Sequence, residues 1–131
     1  MHPEPYFQFV DDPKSYHVNA DRNDSPQVVR VPLKARGKEK LLGVLSGSLK
    51  FPKYFGWNWD ALEECIRDLS WLKGVRQVVS VHEGLAFSPR EAQLRTYLGI
   101  LVDAIALRRG EPDGLQLSVV FPTSAKTTVG E

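Results

Sequence analysis

The sequence predicts an α/β domain: a small, mainly parallel three-stranded sheet with helices packed on it, and an extra N-terminal strand that can add an edge. Three observations predict it. Val28–Val31, Gln77–Val81 and Leu115–Phe121 are short runs rich in β-branched residues, the composition of buried strands. Helix-patterned segments separate them, and strands joined through a helix must cross over and pair in parallel. With 131 residues, 42% hydrophobic and 25% charged, the chain is long enough and ordinary enough for one domain with a proper core.

Residues 1–27 form an N-terminal extension punctuated by Pro3, Pro5 and Pro13 and by the acids Asp11, Asp12, Asp21 and Asp24. Within it Tyr6–Val10 reads as a short strand, and the turn-rich stretch after it as a loop. Val28–Val31 opens the main domain, residues 28–121, and Pro32 stops that strand. A helix is expected from Lys38 to Leu49, with Leu41, Leu45 and Leu49 on one side. Gly43 and Gly47 each cost it about 1 kcal/mol relative to alanine, so it depends on tertiary packing.

The next helix opens at Asn58, whose side-chain oxygen can accept an orphan N–H of the first turn. Trp59, Leu62, Ile66 and Leu69 supply its apolar face, and Gly74 terminates the turn that follows. After the strand Gln77–Val81, His82–Gly84 makes a turn. Ser88, Pro89 and Glu91 then match a capping box for a helix running to about Arg109. Arg108 and Arg109 complement the negative end of that helix, and Gly110 stops it. Leu115–Phe121 is the last strand, and residues 122–131 read as a flexible tail.

A net charge of +1 excludes a globally basic nucleic-acid binder, so any electrostatic role rests on local clustering. Cys65 is the single cysteine, which excludes an internal disulfide and a cysteine zinc site; core packing is its expected role. The start Met1-His2-Pro3-Glu4-Pro5 has neither the basic residues nor the apolar run of a signal peptide, and no membrane-spanning run occurs. A cytoplasmic protein is expected.

The helix after Asn58 is unusual. Asp60, Glu64 and Asp68 lie four apart and stack along one face, with Glu63 and Arg67 beside them. Four acids against one arginine leave a local charge of −3. Like charges at this spacing cost roughly 0.2–0.5 kcal/mol per pair, and Asp68 lies too far along to recover this from the positive helix end. Five aromatics crowd the loop before it and its first residue, Tyr54 and Trp57 among them. Spacing alone leaves two readings, a solvated face or an anionic docking surface aimed at a cationic partner.

Other chemistry finds little footing. The acids could act as a general acid/base pair or hold magnesium, but no pocket-forming glycine loop accompanies them. His2, His17 and His82 are not at metal-ligand spacing. His82 at a strand end is where α/β enzymes place catalytic groups, although a histidine bonded to backbone or solvent is the simpler account. Lys34, Arg36, Lys38 and Lys40 read as a solvated basic face.

The run Phe51-Pro52-Lys53-Tyr54-Phe55-Gly56-Trp57-Asn58-Trp59-Asp60-Ala61-Leu62-Glu63-Glu64-Cys65-Ile66 resembles the loop-and-helix signature of the barstar family, intracellular inhibitors of secreted ribonucleases. The resemblance implies a protein inhibitor of antitoxin or immunity type, not an enzyme, needing no cofactor or metal. Its implied partner is a cationic ribonuclease or nuclease toxin, met one to one by a monomer, with no direct contact to nucleic acid or membrane. Partner-binding residues implied or framed by it are Tyr54, Trp57, Asn58, Asp60, Glu63, Glu64, Asp68 and, on the later helix, Asp103. Glu64 stands where the best-known member has the shorter Asp, Glu63 where it has Trp, and Asp68 and Leu69 where it has Gly and Trp. Those departures imply a different cognate. A barstar-fold interaction or regulatory module without nuclease inhibition is the alternative.

Overall fold

The computed structural model describes residues 5–18 and 26–129. Its elements in order are β1 (Phe7–Val10), β2 (Gln27–Val31), α1 (Lys38–Ser48), α2 (Trp59–Asp68), β3 (Gln77–His82), α3 (Ala92–Arg109), β4 (Gln116–Pro122) and α4 (Lys126–Val129). The sheet has four strands in the order β1-β4-β3-β2, and each neighbouring pair is parallel. The N-terminal strand thus adds the extra edge, and the sheet exceeds the three strands expected of the main domain.

The order explains how both faces are closed. From β2 to β3 to β4 the chain steps steadily across the sheet, and α1, α2 and α3 pack on a single face during those steps. Leu41 and Leu45 of α1, Leu62 and Ile66 of α2, and Leu101 of α3 meet Val29, Val78 and Phe121 there in the main core. The step from β1 to β2 runs the opposite way, from one edge to the other. The same hand of crossover sends it beneath the sheet. There Tyr16 and Val18 pack on Val79, Val81 and Val120, and Arg30 donates to the carbonyls of Tyr16 (2.7 Å) and Pro13 (3.3 Å). A parallel sheet needs cover on both faces, and this segment provides the second. The expected loop at residues 19–25 lies outside the described residues.

Two expectations need correction. Residues 122–129 are not a flexible tail: Pro122 ends β4, a 3-10 turn spans Thr123–Ala125, and α4 follows. Ala125 and Val129 are buried at 5% exposure each, which is the apolar contact that holds this end down. Glu91 does reach back to the Ser88 N–H (3.1 Å), but that half of the capping box closes a turn, and α3 begins at Ala92 with Glu91 as its N-cap. α2 stops at Asp68 with Leu69 in the left-handed region (φ 51°), and Gly74 (φ 77°) lies in the turn that follows, as expected.

Candidate functional site

The aromatic loop leads the chain into α2 through a mixture of buried and exposed rings. Phe55 is buried, and Phe51 packs edge-on against both Phe55 (4.9 Å) and Trp71 (6.0 Å). The Trp71 indole N–H donates to the Leu49 carbonyl at 2.8 Å, closing the base of the loop. Tyr54 and Trp57 remain 69% and 54% exposed. Trp57 also takes φ 56°, a left-handed conformation that costs a non-glycine residue of order 1 kcal/mol and is held by its surroundings. Its ring tilts against Phe55 at 5.4 Å and lies beside Gly43 of α1.

Asn58 caps α2 as its sequence position predicts. Its Oδ1 accepts from the Ala61 N–H at 2.7 Å, and its Nδ2 donates to the Gly56 carbonyl at 3.4 Å. Leu62, Cys65 and Ile66 then face the core. Burial raises the Cys65 thiol above its ordinary value, with Glu64 and Asp68 adding to the effect. Trp59 packs on Phe87 (5.8 Å) and Tyr97 (6.2 Å), and Lys38 lies over its ring at 5.7 Å.

Asp60, Glu64 and Asp68 are exposed on the opposite face of α2. Together with Glu63, Arg67 and Leu107 of α3 they line a shallow open hollow of about 520 Å³. Among the described residues no ion pair engages Asp60, Glu64 or Asp68. Asp68 Oδ1 accepts from the Ser70 N–H at 3.2 Å. Glu63 differs: Arg67 pairs with it at 3.5 Å, with both side chains part-exposed, so the arginine counters one acid of the four. Such a surface pair is worth well under 1 kcal/mol and yields readily to a stronger partner.

The remaining expected positions lie around this hollow rather than in it. The Tyr54 phenol is raised above its ordinary value, first by lost solvation and then by Cys65, Asp68 and Glu64, which places it within electrostatic reach of the acids. Trp57 faces α1, where it shares a second hollow with Arg36, Lys38 and Lys40. Asp103 is exposed on α3, one turn before Leu107. Two residues of this region carried no signal beforehand. Leu107, 37% exposed, was hidden in a generally apolar helix. Arg108 looked like a cap for its own helix; instead its guanidinium is buried and bonds to the end of α2. Neighbouring Arg109 does stay at the surface, donating to the Pro5 carbonyl and stacking on Tyr6 at 4.9 Å.

His82 is a structural residue. It is 1% exposed and stacked on Phe121 at 4.3 Å. The Val120 carbonyl, 3.2 Å from Nδ1, can only accept, so Nδ1 carries the proton and Nε2 accepts from the Tyr97 hydroxyl at 2.7 Å. Burial lowers its pKa to about 4 and keeps it neutral, with the backbone bonds opposing the shift. Neither ring nitrogen remains to act on a substrate.

This geometry defines a class: a small parallel α/β domain that presents an anchored, carboxylate-bearing helix to solvent beside an aromatic loop. A family model described as Barstar (barnase inhibitor) matches residues 27–121, and the chain belongs to the Barstar family. The match leaves out β1 and α4, which this chain adds at its two ends. No curated protein and no solved structure matches the chain. No helix of the described residues is long and apolar enough to cross a membrane.

Proposed function

We propose that this chain is a protein inhibitor, of antitoxin or immunity type, of a cationic ribonuclease or nuclease toxin. The observation that carries the proposal is the row Asp60, Glu64 and Asp68, exposed together on one capped helix with no cation among the described residues paired to them. A ribonuclease active site must be cationic to hold phosphates, so a rigid row of carboxylates can occupy the same positions. Charge-assisted, often bidentate bonds to arginine and lysine are the strong class of hydrogen bond. Tyr54 packs its ring on the enzyme, Asp60 pairs with active-site cations, and Glu64 enters the catalytic centre. Asp103 is the outlying acid. Asn58 serves by holding the loop-to-helix junction, and Trp57 by shaping the loop.

The extra methylene of Glu64 and the Glu63–Arg67 pair favour a cognate of its own for this chain. The protein acts as a monomer, one to one, in the cytoplasm. Titration calorimetry against barnase and other small cationic ribonucleases, each at two salt concentrations, tests the reading. One-to-one binding that weakens as salt rises is expected. Absence of binding to every ribonuclease on the panel overturns it and favours the interaction module without inhibition.

A further inference from the structure

α2 ends on Leu69, whose N–H bonds back to the Cys65 carbonyl at 3.1 Å, which leaves the carbonyls of Ile66, Arg67 and Asp68 for a donor from elsewhere. The last carbonyls of a helix lack intrahelical donors and concentrate the negative end of its dipole. Here no glycine follows: Leu69 takes the left-handed conformation at φ 51° and ψ 19°, a position where a residue with a Cβ is strained. Something outside the helix therefore holds its end, and the side chain that does so comes from α3.

Arg108 is 8% exposed. Its Nη2, with two hydrogens, donates into the cluster of the Ile66 (3.0 Å), Arg67 (2.8 Å) and Asp68 (3.1 Å) carbonyls, one N–H being shared between two of them, and its Nη1 reaches the Leu115 carbonyl at 3.5 Å. One planar cation thus joins the end of α2 to the approach to β4. Lysine offers three donors on a single nitrogen and cannot span both directions with a fixed fork. Burial lowers the guanidinium's pKa, while Glu111 and Asp68 oppose that shift. An arginine remains charged throughout.

We propose that Arg108 is a positioning residue of the acidic face: it holds the last turn of α2 from outside and so fixes where Glu64 and Asp68 project. Asp68 depends on it twice. Its carbonyl is one of the three that Arg108 grips, and its carboxylate bonds to Ser70 in the turn that this grip orders. Glu64 lies one helical turn earlier, so loosening residues 66–69 frees the segment beyond it. The purpose of the grip rests on the inhibitor reading above; the grip itself needs no partner.

The test uses the full chain with Arg108→Met, which keeps the apolar stem and removes every donor, and Arg108→Lys, which restores a cation. Amide hydrogen exchange is read at Leu69 and Ser70, with Val79 and Val119 in the central strands as reference. Protection at Leu69 and Ser70 falls about tenfold or more in the Met variant and by an intermediate amount in the Lys variant, while the strands stay near wild type. In parallel, the dissociation constant for barnase, or for whichever ribonuclease of the panel binds wild type, is measured at a temperature where the variants are folded. It rises about tenfold for Met and less for Lys.

Wild-type exchange at Leu69 and Ser70 overturns the proposal, and so does equal loss of protection in the strands. A loosened turn with unchanged affinity also overturns it, because the arginine is then merely structural. Should wild type bind no ribonuclease at all, the inhibitor reading fails and the exchange result alone decides the grip.

Discussion

Two neighbouring surfaces carry equal and opposite charge. The solvent face of α2 bears Asp60, Glu63, Glu64 and Asp68 against Arg67, a net −3. The entrance to α1 bears Lys34, Arg36, Lys38 and Lys40 against Glu39, a net +3. They meet near Trp57 and Trp59, yet only the first lies on an element held at both ends. Its acids sit on one helix capped by Asn58 at the start and held by Arg108 at the end. The cations straddle a loop and a helix start whose N-cap, Gly37, makes no side-chain bond, and Lys38 is drawn over the Trp59 ring. Long lysine stems lose rotamer entropy when ordered, whereas the short side chains of Asp60 and Asp68 on a fixed helix have less to lose. Equal charge does not make equal sites; preorganisation separates them.

The largest effect falls on the acidic side. Glu64→Ala and Asp60→Ala should each weaken ribonuclease binding by about 2–5 kcal/mol, a range shaped by measurements on the barnase–barstar pair itself. Their melting temperatures should stay at or slightly above wild type, since each change relieves like-charge repulsion. Calorimetry and thermal melts check both. If either variant melts early, the carboxylate is structural and the contrast disappears.

Next comes the support under α2, where Trp59 rests on Tyr97 and Tyr97 bonds to His82. His82 has a folded-state pKa of about 4 against 6.5 for the free side chain. A depressed histidine pKa means that the unfolded chain binds the proton first. The contribution of neutral His82 is therefore complete above pH 6.5 and is lost as pH falls toward 4, about 3 kcal/mol in total. Urea unfolding at pH 7, 6 and 5 should show wild type losing stability faster than His82→Gln. Parallel profiles would show that the buried ring is not the acid-sensitive part of this support.

Asn58→Ala sharpens the comparison at a smaller scale. Loss of the cap should cost about 1 kcal/mol of stability, read in denaturant midpoints, and should weaken binding without removing any charge. The smallest effect is expected on the basic side. Reversing Lys38 and Lys40 to Glu should change stability by less than about 1 kcal/mol. It should speed association with a cationic ribonuclease at low salt, an advantage that fades as salt rises. Slower association measured by stopped flow would mean that the basic entrance touches the partner, and the two surfaces would then act together.

Much of α2 was legible because its determinants are local. Asn58 sits where a cap must, and Leu62 and Ile66 recur at helical spacing, which places Asp60, Glu64 and Asp68 opposite them by geometry alone. The tail was not legible, since Ala125 and Val129, though four apart, are only two small apolar residues in a polar stretch, too few to establish a period. The start of α3 misled because Ser88, Pro89 and Glu91 satisfy the pattern of a capping box, and a turn uses the same bonds as a helix. Arg108 was read as a cap for α3 because an arginine in a last turn looks alike whichever helix end it serves.

By itself the sequence determined the α/β class, the order of strands and helices, the capped start of α2 and the common face of its acids. Each of these follows from spacing within a few residues or from the need to bury an apolar pattern. Only the tertiary structure decided which end of the sheet β1 joins, what covers its second face, and that a guanidinium from α3 holds α2. Those outcomes depend on pairs such as Arg108 and Asp68 or Phe7 and Val119, far apart in the chain, whose meeting no local rule encodes.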